Sequence, residues 1–256
     1  MLLRYLRFLF RSGNAHAIHS PFVFDLYCKV IRTNAPYYAV ASIESLRQRL
    51  FVSRETIEVT DLGAGSRVNA SAKRPIREVA RYAGKNARLG QLLFRLVNHF
   101  TPAIVLDLGT SLGMTTLYLA SARAKTKVYT FEGCPATLAL AKNHFSELRL
   151  TNIIPVEGNI DQTLTQILSA LPKVDFAFFD ANHRYEPTLR YFQTCLPKVH
   201  EDTILVFDDI YWSAEMAQAW EAIKAHPSVT LTIDLFYLGL IFFRQKQPKQ
   251  HFRLRL

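Results

Sequence analysis

Three aspartates and one histidine occupy two short motifs in the second half of this 256-residue sequence. Asp180 and His183 belong to the motif FDANHRY, and Asp208 and Asp209 belong to the motif FDDIYW. Each motif follows an apolar run with the composition of a buried strand, and neighbouring strands in a sheet lie about 4.8 Å apart. Carboxylates brought that close together repel one another unless a cation lies between them. Because an all-oxygen ligand set is typical of Mg²⁺, the two motifs predict a magnesium site.

Simpler interpretations of the same residues stay open. One or two of the three carboxylates could cap the helix that follows, or bind a cofactor directly, without any metal. His183 could be an ordinary loop or core histidine. The aromatic residues nearby, Tyr185, Tyr211 and Trp212, fit the lining of an acceptor pocket and core packing about equally well.

The elements that must position these motifs begin with the stretch IVLDLGTSLGMTTLYLA at residues 104–120. An apolar run ends at Asp107, two glycines follow at Gly109 and Gly113, and a helical pattern begins at Met114. This order predicts a buried parallel strand, a tight turn and a crossover helix. Both glycines let a ligand lie against the main chain. The free N–H groups at the start of the helix point at whatever the turn holds.

The chain after this unit alternates regularly between strands and helices. Strands are predicted at 127–132, 153–157, 174–180 and 203–208, with helices at 135–148, 161–171, 187–196 and 214–225. Two further strands, at 229–235 and 238–244, predict a closing hairpin. The pattern predicts an α/β fold with a Rossmann-like, mostly parallel sheet and one antiparallel strand. Ligands of such sheets bind beyond the carboxyl ends of the strands, where both aspartate motifs lie.

The glycine turn resembles that of a known enzyme family. The pattern D-x-G-x-x-x-G of Asp107, Gly109 and Gly113 resembles motif I of the class I S-adenosylmethionine (SAM) methyltransferases, and the form GTSLGMTT is most similar to the small-molecule O-methyltransferases. The dinucleotide pattern G-x-G-x-x-G fits poorly, because Ser111 holds the position of its second glycine. The resemblance implies that the turn, with Thr110 and Ser111, wraps the methionine part of SAM, and that Asp107 lies near its ammonium group.

The same resemblance assigns cofactor contacts at the other strand ends. Glu132 and Gly133 follow Asp107 by about 25 residues, and the family resemblance implies that this acid accepts hydrogen bonds from both ribose hydroxyls of SAM. Asn159 holds a position where the family commonly has an aspartate that pairs with the adenine amino group. An asparagine could do so through its carbonyl oxygen. The resemblance also places Asp180 among the residues that contact SAM.

The two aspartate motifs strengthen the resemblance. D-x-x-H-x-Y followed by D-D is similar to the metal-dependent O-methyltransferases that act on antibiotic sugars. It is more distantly similar to the catechol and caffeoyl-CoA enzymes, which usually carry D-N and a lysine at these places. The resemblance covers about residues 101–245. It implies that Asp180, Asp208 and Asp209 hold Mg²⁺ and that His183 is the base.

The positive charge of the chain is concentrated before this region. The formal net charge is +10, and residues 1–100 hold 16 Lys/Arg against 6 Asp/Glu, whereas the remaining residues are balanced. Five basic residues at intervals of three or four predict one basic helical stripe: Lys73, Arg77, Arg81, Lys85 and Arg88. The stripe is either a solvated face or a surface for an anionic partner. No nucleic-acid-binding motif supports a nucleic-acid partner.

Three segments follow from these patterns. Residues 1–100 are predicted to form a basic, mainly helical N-terminal extension, residues 101–245 the SAM-binding core, and residues 246–256 a basic tail. Arginines interrupt the apolar start of the chain and exclude a signal peptide. Residues 1–12 therefore predict a helix packed on its own domain, or else a helix that binds a membrane surface or a partner. A second glycine turn, from Asp61 to Ser66, has no helical pattern after it and predicts a hairpin or cap segment rather than a ligand loop.

The predicted protein is cytoplasmic, because its three cysteines are scattered and its apolar runs are far shorter than the roughly 20 residues of a membrane span. The predicted activity is Mg²⁺-dependent transfer of a methyl group from SAM to a hydroxyl of a small-molecule or sugar-like acceptor. Two alternatives are a metal-independent methyltransferase that acts on a polyanion such as nucleic acid, and a non-catalytic SAM-binding scaffold. A homodimer is left open, and the sequence does not name the acceptor.

Overall fold

The structure, a computed structural model, describes residues 2–33, 37–60, 72–82 and 86–256. Contacts divide the chain into two compact units. The terminal unit consists of Met1–Thr33 with Leu168–Leu256, and the central unit consists of Asn34–Ile167. The predicted boundaries at residues 100 and 245 do not coincide with this division. The glycine turn from Asp61 to Ser66 lies outside the described residues.

The elements are numbered in chain order. The helices are α1 (Leu2–Arg11), α2 (Pro21–Leu26), α3 (Tyr38–Val52), α4 (Ile76–Tyr82), α5 (Ala87–Phe100), α6 (Met114–Ser121), α7 (Pro135–Glu147), α8 (Ile160–Ala170), α9 (Tyr185–Cys195) and α10 (Ala214–Ala225). The strands are β1 (Thr56–Glu58), β2 (Lys73–Pro75), β3 (Ile104–Leu108), β4 (Lys127–Glu132), β5 (Ile153–Glu157), β6 (Phe176–Phe179), β7 (Ile204–Asp208), β8 (Leu231–Asp234), β9 (Leu238–Phe242) and β10 (Gln250–Arg253). The strands and helices predicted between residues 104 and 244 are confirmed to within about two residues at each end.

The central unit contains a parallel sheet in the order β3, β4, β5. β3 is apolar except for Asp107 and is buried from Val105 to Leu108, which is the pattern of a strand covered on both faces, whereas β5 is only partly buried. The register pairs Leu108 with Phe131 and Glu132 with Glu157, so the strands end at the same edge. The turn after β3 and the acid that ends β4 therefore come together at that edge.

A buried polar cluster joins α3 to α6 in the central unit. Arg47 donates from Nε to the Glu44 carboxylate at 3.1 and 3.3 Å, and the Tyr118 hydroxyl also donates to Glu44. Burial raises the pKa of Tyr118 well above its ordinary value, so this hydroxyl stays protonated and keeps its donor role. The ion pair and the hydrogen bonds satisfy groups that would be costly to bury alone.

The predicted basic helical stripe is wrong. Lys73 lies in β2, which pairs antiparallel with β1, whereas Arg77 and Arg81 lie in α4 and Arg88 lies in α5. Pro75 explains the break, because a proline biases the residue before it towards extended backbone. The helix therefore begins at Ile76, after the strand, and these four basic residues do not share one helix. Lys85 lies outside the described residues.

The terminal unit contains a mixed sheet. β6 and β7 are parallel, β9 is antiparallel to both β7 and β8, and β10 is parallel to β8. The predicted closing hairpin is confirmed, with β9 as the antiparallel strand. The expected α/β Rossmann-like class is confirmed as well. None of the helices in the described part of the chain has the length and apolar character that a transmembrane span requires.

The end of the chain is more ordered than its sequence indicates. Residues 246–256 were predicted as a basic tail, but Gln250–Arg253 form the strand β10. The N-terminal segment contacts this end of the chain: Gly13 N donates to Arg253 O at 2.9 Å, and the Tyr27 hydroxyl donates to Arg255 O at 2.9 Å. These bonds place residues 1–33 in the same unit as the last strands.

Replacing Leu254 with alanine tests whether the C-terminal strand supports the fold. Leu254 is buried, and its N–H donates to Asp234 O at 2.9 Å. We expect Leu254→Ala to lower the free energy of unfolding by about 2–4 kcal/mol, because the substitution leaves a cavity in a packed position. Urea unfolding measures this loss, with the exposed Gln245→Ala as the control. Equal small effects of both substitutions would show that the tail is dispensable.

Candidate functional site

The turn between β3 and α6 is held open by three residues with left-handed backbone. The φ angles are 115° at Gly109, 47° at Ser111 and 80° at Gly113. The N–H groups of Gly109 and Thr110 donate to Phe131 O on β4, at 3.2 and 3.0 Å. Gly113 immediately precedes α6, so the free N–H groups of the helix face the turn. This arrangement can hold an anionic group such as a carboxylate.

Asp107 lies beneath the turn rather than at its surface. Its side chain is fully buried, and Oδ2 accepts hydrogen bonds from Thr116 Oγ1 at 2.6 Å and Thr130 Oγ1 at 2.9 Å. Thr130 Oγ1 in turn lies 2.6 Å from Thr110 Oγ1. The carboxylate thus ties the turn, α6 and β4 together. Its predicted place near the ammonium group of SAM stays a prediction, and the supporting threonines were missed because hydroxyls have no distinctive spacing.

Glu132 is fixed in position at the end of β4. Its Oε2 accepts a hydrogen bond from Ser111 N at 2.8 Å, and its Oε1 accepts one from Cys134 N at 2.9 Å. Gly133 lies between Glu132 and Cys134 in the chain. Each carboxylate oxygen has a second lone pair. The side chain can therefore accept further hydrogen bonds from two hydroxyl groups while the turn holds it in place.

Asn159 begins α8. Its Oδ1 accepts from Asp161 N at 3.0 Å, and the preceding Gly158 has a φ of 125°. The carbonyl oxygen that was predicted to pair with an adenine amino group is therefore already used in capping the helix. A second lone pair stays on that oxygen, so the adenine contact stays a prediction.

His144 fixes the turn from below. Its Nδ1 lies 2.9 Å from Leu112 O, and the ring is buried in α7. A neutral imidazole with its hydrogen on Nδ1 donates to that carbonyl. Burial lowers the pKa of His144 below its ordinary value of 6.5, which keeps the ring neutral.

This lowered pKa makes the stability of the protein depend on pH. Below about pH 6.5 His144 binds a proton in the unfolded chain but stays neutral in the folded protein. Protonation therefore does not weaken folding above that pH, and it lowers the free energy of unfolding as the pH decreases towards the pKa of His144 in the folded protein. We expect the unfolding temperature to drop between about pH 7 and pH 5. His144→Gln keeps a donor without titrating and should flatten this dependence. Identical pH profiles for both proteins would contradict the assignment.

The two aspartate motifs meet in the terminal unit. Asp180 directly follows β6 and Asp208 ends β7, and the pairing of Phe179 with Phe207 brings these strand ends side by side. One potential ligand atom from each of Asp180, His183 and Asp208 lies within 4.8 Å of the others. His183 Nε2 lies 3.3 Å from Asp180 Oδ1. Asp208 is buried, whereas the other two side chains are partly exposed.

Asp209 is not a member of this group among the described residues. It leaves the strand with a φ of 51°, donates from its N–H to Tyr237 O at 2.8 Å, and accepts from Trp212 N at 2.8 Å. Successive side chains of a strand point to opposite faces, and the left-handed backbone turns the chain further. The structure therefore groups two carboxylates with an imidazole, and the predicted role of Asp209 as a metal ligand stays a prediction.

This donor set fits a divalent cation. A cation between Asp180 and Asp208 would offset the repulsion of two carboxylates held close together. Two carboxylates supplemented by waters suit Mg²⁺, whereas an added imidazole ligand suits Mn²⁺, Fe²⁺ or Zn²⁺ as well. The side chain of His183 could serve either as that third ligand or as a base beside the cation.

The comparisons with known proteins concern the family and the fold of the chain. Residues 106–210 match a protein family described as a methyltransferase domain, and this range includes the β3 turn and all three aspartates of the two motifs. No curated protein sequence matches the chain at a significant level.

Three solved structures illustrate the likeness in fold. The methyltransferase PaMTH1 of Podospora anserina, with S-adenosylhomocysteine (SAH) bound, is 13% identical with a TM-score of 0.62 over 89% of this chain and 98% of that one. The O-methyltransferase of Bacillus cereus in complex with SAH is 17% identical with a TM-score of 0.57, over 86% and 97% of the chains. The O-methyltransferase TomG of Streptomyces achromogenes, involved in tomaymycin synthesis and in complex with SAM, is 16% identical with a TM-score of 0.57, over 87% and 96%.

These structural similarities concern the fold, and the family match adds the enzyme class. The predicted resemblance to the SAM-dependent O-methyltransferases is thereby confirmed, whereas the metal and the roles of the aspartate motifs stay predictions. Residues 106–210 thus match a methyltransferase domain, on a fold similar to that of solved O-methyltransferases.

Proposed function

We propose that the protein transfers a methyl group from SAM to a hydroxyl of a small-molecule acceptor, with a divalent cation at Asp180 and Asp208. The observation that carries this proposal is the group formed by Asp180, His183 and Asp208 at the ends of two adjacent strands. A methyltransferase domain that served only as a scaffold would have no use for a buried aspartate beside a second carboxylate and a histidine, since grouping them costs stability.

The donor site follows from the central unit. The N–H groups at the start of α6 would bind the carboxylate of the methionine part of SAM. Glu132, fixed by Ser111 N and Cys134 N, would accept hydrogen bonds from the two ribose hydroxyls. Both interactions use groups that the fold already holds in place, so little ordering is required on binding.

The acceptor site follows from the terminal unit. A bound divalent cation supplies a positive charge that lowers the pKa of an acceptor hydroxyl. With its hydrogen on Nε2, near Asp180 Oδ1, His183 keeps Nδ1 free to accept the proton of that hydroxyl. Asp180 stabilises the resulting imidazolium by its charge. The acceptor oxygen then forms the new O–CH₃ bond as the S–CH₃ bond of SAM breaks, and SAH leaves.

Calorimetric titration of the full chain tests both sites without knowledge of the acceptor. We expect saturable binding of SAM, and separate binding of Mg²⁺ or Mn²⁺ that EDTA reverses. His183→Gln should lose most of the affinity for Mn²⁺ if the imidazole is a ligand, and keep it if the imidazole is a base. If the protein bound SAM but neither Mg²⁺ nor Mn²⁺, the metal-dependent mechanism would be excluded. It would favour a metal-independent enzyme that acts on a polyanion, an alternative that the excess of basic residues before residue 100 supports.

A further inference from the structure

The first helix has an exposed apolar face. Leu3, Leu6 and Phe10 are 82%, 42% and 89% exposed, and a rotation of 100° per residue places all three on one side of α1. The opposite side is covered by the protein, since the rings of Tyr5 and Phe8 lie 4.9 and 5.3 Å from that of Phe236. The helix is thus apolar on two faces, and one of them is open. Leu3, Leu6 and Phe10 are called the apolar stripe below.

Basic residues adjoin the apolar stripe. Arg4, Arg7 and Arg11 fall on the neighbouring side of α1 and are exposed, and the helix contains no acidic residue. Apolar side chains next to arginines suit the boundary of an anionic lipid bilayer, where the former enter the acyl region and the latter contact phosphates.

The apolar stripe is presented in a fixed orientation. Arg4 Nη1 donates to Tyr211 O at 3.1 Å, and Arg255 Nη2 donates to Leu9 O at 2.9 Å, so both ends of α1 are tied to the terminal unit. The exposed Tyr237 lies beside the helix, with its ring 6.2 Å from that of Tyr5, and the exposed Trp212 follows Tyr211. Tyrosine and tryptophan are the residues that favour the membrane–water boundary.

We propose that α1 docks the protein on anionic lipid bilayers. The apolar stripe enters the interface, and Arg7 and Arg11 bind lipid phosphates. A second copy of the chain fits this surface less well, because a stable interface buries about 800 Å² on each partner, far more than three side chains supply. Since Trp212 lies four residues after Asp208 in the same unit, docking would also bring the segment that follows β7 to the membrane. The proposal concerns binding alone and does not rest on the proposed methyl transfer.

Co-sedimentation of the full chain with lipid vesicles tests the proposal. We expect binding to vesicles of mixed phosphatidylcholine and phosphatidylglycerol, little binding to phosphatidylcholine alone, and weakening by salt. The double variant Leu3→Ser and Phe10→Ser should bind at least about tenfold more weakly. Each of Arg7→Gln and Arg11→Gln should weaken binding about fivefold. The matched control is Tyr38→Ser with Val52→Ser, which removes exposed apolar side chains from α3 in the central unit.

Fluorescence gives a second measurement. Brominated lipids in anionic vesicles should quench Trp212, and Trp212→Phe should remove the quenched signal, because the other tryptophan, Trp220, is buried. Absence of vesicle binding at low salt would overturn the proposal, as would binding that the α1 variants leave unchanged. Self-association that the Leu3→Ser and Phe10→Ser changes abolish, without vesicle binding, would assign the stripe to a second copy instead.

Discussion

Replacing Asp208 with asparagine is expected to weaken binding of Mn²⁺ by about 100-fold while binding of SAM changes by less than about twofold. The substitution keeps the size of the side chain but removes the negative charge that a divalent cation would neutralise. Asp208 is buried, and one of its oxygens lies within 4.8 Å of potential ligand atoms of Asp180 and His183. Calorimetry or electron paramagnetic resonance of bound Mn²⁺ measures the change, and methyl transfer should fall at least as far.

Two further variants make this experiment decisive. Asp202→Asn changes an exposed aspartate that lies outside the group and should leave Mn²⁺ affinity unaltered. Asp209→Asn distinguishes between the ligand set that the sequence predicts, which includes Asp209, and the group that the structure shows, which does not. Asparagine tolerates the left-handed backbone at this position. We expect Asp209→Asn to retain most of the affinity. A loss equal to that of Asp208→Asn would restore Asp209 to the ligand set.

Replacing Gly113 with alanine is expected to lower the free energy of unfolding by about 2–4 kcal/mol. A β-carbon at this position would lie 2.5 Å from Phe145 Cε1 and 3.2 Å from Ala141 Cβ, and the φ of 80° is unfavourable for alanine. The turn could relieve both problems by shifting away from α7. That shift would displace the N–H groups at the start of α6, so SAM should bind about 10- to 100-fold more weakly. Urea unfolding and calorimetry measure the two effects.

Ser111→Ala is the control for this turn. Ser111 already carries a side chain at a φ of 47°, and its backbone N–H, rather than its hydroxyl, donates to Glu132. We expect a change in stability of less than about 1 kcal/mol and nearly unaltered binding of SAM. If Gly113→Ala were as mild as Ser111→Ala, the turn would be adaptable and the proposed donor site would lack the rigidity assigned to it.

Local features of the fold could be predicted because their causes are local. The buried strands are short apolar runs. The start of α2 follows sequence rules for helix starts: Pro21 is its first residue, and the side chain of Ser20 before it accepts a hydrogen bond from Val23 N. The hairpin of β8 and β9 follows from two apolar runs separated by three residues at most. The strand β10 could not be predicted in this way, because its four residues, which include His251 and Arg253, have no apolar pattern. Its pairing with β8 stabilises it instead.

The sequence by itself determined the strand–turn–helix unit at Asp107–Gly113, the acid at Glu132 and the two aspartate motifs, because spacing along one strand and its following turn sets these positions. Tertiary structure decided the exact membership of the group at these strand ends. The pairing of β6 with β7 brings Asp180, His183 and Asp208 together, whereas the backbone of Asp209 turns into the left-handed region directly after the strand. Tertiary structure also decided that the first 33 residues pack with the last strands, through backbone hydrogen bonds such as that from Gly13 N to Arg253 O. Contacts between segments so far apart depend on how complete surfaces pack, which no local pattern encodes.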